Sequence, residues 1–306
     1  MTQGPSVLVA GGANLDVKCR ADRPVVMRTS NPGTTTVACG GVARNVAERL
    51  ARRGTAVRLL TILGEDAAGE RIARETLAAG VDMSLCLRAA LPTGSYTAVL
   101  DPEGELVVAV AAMHILDALD AAAIAAREEA IREAAFVVAD ANLSPPALAH
   151  LAGLAAAHGR PLALEPVSVA KAARLGPILA AGVPVALMTP NRDELAALTG
   201  LPVDGETALA AAARMLHGRG VRRLAVGLGA HGVFLSTAEG EIAVLPALAA
   251  GRARDVTGAG DAALAGTVFG LASGWDFTAA VSEGQRMAAA VVTRRDDAAA
   301  QEEIER

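Results

Sequence analysis

The 306-residue chain is 52% hydrophobic and 20% charged, with a formal net charge of −5 at pH 7. It has no basic stripe to neutralise a phosphate backbone, which argues against a nucleic acid partner. Cys19, Cys39 and Cys86 form no CxxC pair and lack ligand-like histidine spacing, so neither a disulfide nor a metal centre is expected of them.

No run approaches the roughly 18 apolar residues that a membrane span needs. The N-terminal segment enters a strand-like run without the charged region and apolar core of a signal peptide, so the expected compartment is the reducing cytoplasm. Aromatic residues make up 2%, and a ligand site here has to use aliphatic walls and polar contacts.

Short apolar runs alternate with Ala-rich stretches of helical period, the pattern of a mostly parallel, doubly wound α/β sheet flanked by helices. Strands are expected at 6–10, 57–62, 136–139, 161–164, 184–188 and 224–227. Helices are expected at 42–53, 69–79, 118–133, 146–158, 169–179, 193–199, 206–219, 259–273 and 277–293. Two regions break the alternation. One is 15–38, with a β-branched run at 34–37; the other is 93–112, a hairpin turning at Asp101, Pro102, Glu103 and Gly104. Strands inserted there form a small separate sheet, a lid over the carboxyl edge of the main one. No linker or repeat divides the chain, so residues 1–306 read as one domain with that lid. The charged segment 294–306 reads as a frayed helix or tail.

The strongest chemical signal is Asp255, Val256, Thr257, Gly258, Ala259, Gly260 and Asp261, followed at once by a helix-forming run. Small residues let backbone amides converge, and the helix start adds the positive end of its dipole, which makes an anion site. An Asp in the first helical turn then stands beside the anion, where phosphoryl transfer needs a base. The plainer alternative for a short GxGD string is a capped glycine turn.

This string resembles the C-terminal signature of ribokinase-like (PfkB-type) carbohydrate and nucleoside kinases. A second signature, GGxxxNxA, matches Gly40, Gly41 and Asn45, and the family's G-x-D-x-x-G turn matches Gly64, Asp66 and Gly69. The resemblance implies an ATP-dependent phosphotransferase acting on an alcohol. Its catalytic residue is Asp261, and Gly258, Ala259 and Gly260 hold the transferred group. Asn14, Asp16, Gly40, Gly41 and Asn45 lie along the sugar; a carboxylate such as Asp16 can accept from both hydroxyls of a vicinal diol.

Asn191 and Glu194 match the family's NxxE motif, which implies Mg²⁺ held through water. The same spacing is also a capping box. Gly227, Gly229 and Gly232 satisfy GxGxxG, but a strand-like run follows them rather than a helix, so they do not form a dinucleotide fingerprint; the resemblance implies instead that this turn borders ATP. His231 within this turn reads as exposed. The resemblance adds Thr257 and Met287 to the nucleotide contacts and leaves a monovalent cation (K⁺) at Asp255 as an option.

Three further strings resemble the pseudouridine kinase branch of the family: Ser30 to Gly33, Pro92 to Tyr96, and Pro166 to Lys171. They imply that Ser30 and Asn31 approach the nucleoside from the lid and that Lys171 lies beside the substrate or phosphate. Lys171 is one of only two lysines in an Arg-rich chain, and a flexible point charge is not equivalent to a planar fork. Two departures stand out. Ala111, Ala112 and Met113 replace the acidic residue that ends the family's hairpin, and the C-terminal segment lacks the apolar, Pro-terminated stretch that closes the nucleotide site.

The resulting expectation is that the 5′-hydroxyl of a nucleoside, above all pseudouridine, loses its proton to Asp261 under a closed lid. Alternatives are a PfkB-type kinase for another sugar or nucleoside, a non-catalytic ligand-binding relative, and, least favoured, a dinucleotide oxidoreductase. Uncovered lid strands invite a second copy, so association would give a homodimer through the lid.

Overall fold

The computed structural model describes the backbone of residues 6–248 and 258–304, and side chains as far as residue 292. In chain order the first half contains β1 (Ser6–Ala10), β2 (Asn14–Ala21), β3 (Gly33–Gly40), α1 (Val42–Arg52), β4 (Ala56–Leu60), β5 (Ile62–Gly64), α2 (Ala67–Ala78), β6 (Leu87–Ala89), β7 (Ser95–Leu100) and β8 (Leu106–Ala112). Next come α3 (Ala121–Ala125), α4 (Glu128–Glu133), β9 (Phe136–Asp140), α5 (Pro145–Ala157), β10 (Leu162–Glu165), α6 (Val169–Ala172), α7 (Gly176–Ala180), β11 (Leu187–Met188), α8 (Arg192–Thr199) and α9 (Glu206–His217). The chain closes with β12 (Arg223–Gly227), β13 (Val233–Thr237), β14 (Ile242–Leu245), α10 (Ala259–Ala272) and α11 (Phe277–Ile304).

The large sheet has the order β14-β13-β12-β11-β10-β9-β1-β4. It is parallel from β4 to β12 and antiparallel at β13 and β14. Alternation along β1 explains why both faces are buried. Val7 and Val9 join α1 (Val46, Leu50) and α10 (Leu264, Val268) on one side. Leu8 and Ala10 join α5 (Leu148, Leu151) and α9 (Leu209, Leu216) on the other. The helices α10 and α11 meet backbone to backbone, because a Cβ added to Gly266 would lie 2.7 Å from the Cα of Gly284.

The two interrupting regions form the expected small sheet, in the order β3-β2-β7-β8. Asp66, in the turn between β5 and α2, ties it to that helix. Its carboxylate caps α2 by accepting from the Gly69 amide at 2.8 Å, and it also takes the Thr93 amide at 2.8 Å and the Thr93 hydroxyl at 2.6 Å. Thr93 stands just before β7, so the G-x-D-x-x-G turn is an anchor for the small sheet.

Several expectations need correction. The single helix at 118–133 is α3 and α4: Asp120 sets the start of α3 by accepting from Ala123 N, and the chain leaves helical geometry at Arg127 (φ −122°) before α4 begins. The helix at 169–179 is broken into α6, a 3₁₀ turn and α7, since Pro177 supplies no amide. The strand at 57–62 divides into β4, in the large sheet, and β5, which pairs with β6. Regular pairing at 184–188 is confined to β11, and β14 was not anticipated. The helix α11 continues as far as Ile304, through most of the segment read as a frayed helix or tail.

Gly266→Ala forces α10 and α11 apart. A stability loss of about 1–3 kcal/mol is expected from such overpacking, read as a lower denaturant midpoint with an unchanged slope.

Candidate active site

The parallel strands deliver polar side chains to their shared carboxyl edge, where ligands bind in open α/β sheets. Asp140 ends β9, Glu165 ends β10, Thr189 follows β11 and Gly227 ends β12. Asp140 is 1% exposed and organises one side of this edge. Its Oδ2 accepts from Gly12 N at 3.0 Å and Ala43 N at 2.9 Å, and its Oδ1 accepts from Asn142 N at 2.9 Å. It thereby caps α1, whose own N-cap residue, Gly41 at φ 97°, has no side chain to do so. Gly11, at φ 147°, is required there because an added Cβ would fall 2.4 Å from the Asp140 carboxylate.

The helix α1, fixed in this way, presents Asn45. Its Nδ2 donates to Asp261 Oδ2 at 2.8 Å, joining the two sequence signatures across the domain. One turn further on, Arg49 Nη2 donates to the Gly258 carbonyl at 3.2 Å. Gly258 is left-handed (φ 77°) and starts α10 without a side-chain cap, which leaves the first amides of that helix uncapped by its own N-cap residue. Gly260 is exposed, with open space where a side chain would be. Asp261 is the third residue of α10. Burial pushes its carboxyl above the ordinary range, the Asn45 amide and the Arg49 charge oppose that shift, and Asp140 and Asp16 add to it.

At the base of the small sheet, Asn14 Nδ2 donates to Asp16 Oδ1 at 2.6 Å. Gly40 has no room for a side chain because the Asp16 carboxylate occupies it, 2.2 Å from where a Cβ would stand. Asn14, Asp16, Gly40, Gly41, Asn45 and Asp261 are therefore gathered around one junction.

A cleft of about 260 Å³ opens beside Asp261 and includes Glu165, Thr189, Asn191, Glu194, Gly227 and Gly260 in its walls. Asn191 and Glu194 form the reciprocal capping box at the start of α8, with both bonds at 2.9 Å. The two readings of NxxE are thus compatible: the box fixes both side chains, and both line the cleft. Burial raises the Glu194 carboxyl. Glu165 accepts from the Thr189 hydroxyl at 2.5 Å. Burial drives its carboxyl up to about 8, the Thr189 bond opposes this, and the negative charges of Glu194 and Asp261 reinforce it. The adjoining Val167 sits at φ 69°, a left-handed conformation that costs a β-branched residue about 1–3 kcal/mol, and it also lines the cleft.

The remaining expected residues fall in varied places. Lys171 Nζ donates to Asn142 Oδ1, so it reaches the Asp140 end of the edge. Gly232 is buried and structural, since a Cβ there would meet the Leu245 carbonyl at 1.9 Å; Gly229 is exposed with open space where a side chain would be, and His231 is exposed. Met287 packs against the core cluster beneath α1 and α10; from α11 it is Val281 and Gln285 that line the cleft. Ser30 is exposed, and the Asn31 amide is engaged with the backbone of Val26 at 2.8 and 2.9 Å. Asp255 and Thr257 lie outside the described residues. Sequence reasoning missed Asp140, Glu165, Thr189, Arg49 and Gln285; the signal available for the two acids was their place at the end of an apolar strand.

An uncapped glycine turn with a first-turn carboxylate, beside a cleft whose aliphatic walls carry a few carboxyl, hydroxyl and amide groups, is the site of a phosphotransferase acting on a hydroxyl group. Residues 5–304 match the family described as pfkB family carbohydrate kinase, and the chain belongs to it. It is 34% identical over 278 residues to the pseudouridine kinase of Escherichia coli K12, covering 90% of this chain and 85% of that one. It is 32% identical over 193 residues to a pseudouridine kinase of Arabidopsis thaliana, covering 62% and 50%. Among solved structures, a carbohydrate kinase from Agrobacterium tumefaciens superposes with a TM-score of 0.81 at 32% identity, covering 93% and 90%. Arabidopsis thaliana ribokinase complexed with ribose and ATP gives 0.81 at 23% identity, covering 94% and 91%, a likeness of fold. The fold is therefore ribokinase-like, and kinases of this kind use ATP and a divalent metal. Among the described residues no helix is long and apolar enough to cross a membrane.

Glu165→Gln tests the electrostatics of the cleft. A carboxyl raised in the folded state favours folding while protonated and loses that advantage as pH rises through its folded value. Without added metal, the variant should gain melting temperature relative to the parent as pH increases from about 5 to about 8, with the difference levelling off above that.

Proposed function

We propose that the chain phosphorylates the 5′-hydroxyl of a ribosyl nucleoside, with pseudouridine the favoured acceptor, in the cytoplasm. The observation that carries this reading is the Asp261 carboxylate, held by Asn45 at the mouth of the glycine turn and facing the cleft. The share of sequence held in common with the E. coli pseudouridine kinase supports the choice of acceptor.

In this reading Asp16 and Asn14 take the ribose hydroxyls, and Asp261 removes the proton from the attacking oxygen. The amides of Gly258, Ala259 and Gly260 meet the transferred phosphoryl oxygens, where fixed dipoles act without reorganisation. The donors around Glu194 are hard oxygens, as Mg²⁺ prefers. Among the described residues no three His, Cys, Asp or Glu side chains cluster closely enough to make a cage, which fits an ion held through water and phosphate. Asn191 and Glu194 would hold it, and when bound it supplies charge neutralisation on the nucleotide phosphates. Burial raises the Glu165 carboxyl to about 8, which favours its neutral form and limits the negative charge of the cleft.

The small sheet is read as a lid. Pairing places Asp16, Tyr96, Ala38 and Ala111 in one row on the face toward the site. With Ala111, Ala112 and Met113 in place of the acid that ends the family's hairpin, base recognition has to come from other positions, and Tyr96 has the largest side chain in that row. The opposite face carries Val37, Val17, Thr97 and Val110 in register, with Val108 two residues along from Val110. Val110 is 64% exposed and Val108 51%. An apolar sheet face of this kind supports a homodimer through the lid.

Two measurements test the reading. ATP consumption with pseudouridine, uridine, adenosine, ribose and fructose should be fastest with pseudouridine. Asp261→Asn should lose about 10²- to 10⁴-fold in kcat while still binding nucleotide; an unimpaired variant refutes the proposed base. Separately, Val110→Asp should convert a dimer to a monomer in sedimentation, whereas a parent that already sediments as a monomer ends the lid-dimer reading.

A further inference from the structure

The base assigned to Asp261 works only if its carboxylate is ionised and its turn is rigid, although burial opposes the first and glycine the second. Charged and polar groups face it from several elements: Asn45 and Arg49 from α1, Asp16 from β2, Asp140 at the end of β9 and Glu165 at the end of β10. Three of these five described residues are acids, and Arg49 is the cation among them.

Asn45 and Arg49 are four residues apart on α1 and so share a face. That face meets a single turn at two points. Asn45 reaches the carboxylate of Asp261, and Arg49 reaches the carbonyl of Gly258, which also accepts the first helical bond of α10, from Ala262 N at 3.1 Å. We propose that Arg49 is a positioning residue for phosphoryl transfer: its guanidinium clasps the Gly258 carbonyl, fixes the left-handed turn against α1, and keeps a positive charge beside the Asp261 carboxylate. The assignment rests on Asp261 being the base.

A purely structural pin is a poor account of this placement. A cation at a helix N-terminus faces the positive end of the macrodipole, which is unfavourable by itself. The arrangement becomes favourable once an anion occupies the turn, because guanidinium and dipole then converge on the same negative charge. The contact also leaves little room for change on the other side, since a Cβ on Gly258 would stand 3.1 Å from Arg49 Nη2. By contrast, the ion pairs of Glu283 with Arg53 and Arg286 further along this side of the molecule suffice as structural links.

The test compares Arg49→Met and Arg49→Lys with the parent, using Mg-ATP and pseudouridine, or whichever acceptor of the panel is turned over. Arg49→Met should lower kcat at neutral pH by about 10- to 100-fold, leave both KM values within about threefold, and move the acid limb of the kcat profile to higher pH. The direction follows from removing a charge that favours the ionised form of Asp261. Arg49→Lys keeps the charge, so it should leave the acid limb in place and recover part of the rate. Should Arg49→Met not fold, Arg49→Gln takes its place in the comparison. A melting temperature that falls while kcat and the acid limb stay put overturns the proposal, and so does a lysine variant no better than the methionine one. An active Asp261→Asn enzyme instead overturns the base assignment itself, which separates the two failures.

Discussion

The arrangement of this site depends on a single buried carboxylate that is not itself proposed to react. Asp140 gathers amides from the turn after β1, from the first turn of α1 and from its own following loop. Charge-assisted bonds of this kind are short and directional, and here they substitute for the cap that Gly41 cannot provide. They set the start of α1, and α1 in turn carries Asn45 to Asp261. Burial opposes the charge on Asp140 while the amides favour it, so the group is committed to ligating main chain. Losing it would leave buried amides without acceptors, a larger penalty than a typical hydrogen bond contributes.

From this joint the rest of the edge follows by topology. Each parallel strand ends at the same level, and the residue at or just beyond each end becomes part of the wall: Glu165, Thr189, Asn191 and Gly227. The result is a cleft with several carboxyls and few cations in its walls, an environment that favours a hydrated divalent ion over a bare anion. Glu165, with its carboxyl near 8, is where this crowding of negative charge is relieved in the free protein.

The sequence was most legible where several residues make one local structure. The turn ending in Asp261, the pair Gly41 and Asn45, and the capping box at Asn191 each combine backbone and side-chain requirements within a few positions. The small sheet was legible because its strands interrupt a helix–strand alternation. Asp140 and Glu165 were not, because a lone acid after an apolar strand looks like any turn residue until the strand order shows which edge it faces. The same holds for Arg49, one of many arginines in this chain, whose role depends on the helix face it shares with Asn45. Helix breaks at Arg127 and before Pro177 were missed because Ala-rich flanks carry helical periodicity across them.

The Asp66–Thr93 anchor has a consequence for how acceptor choice can change. At this crossing, and again where β1 passes into β2, a carboxylate holds main-chain amides, so the seat of the small sheet is set by backbone rather than by the side chains on its faces. Positions such as Ala38, Tyr96 and Ala111 can then be exchanged without tilting the sheet or disturbing the junction at Asp261. Under the proposed function, a chain built this way can drift from one nucleoside or sugar to another by altering a few positions on that face, while the phosphoryl chemistry stays where it is.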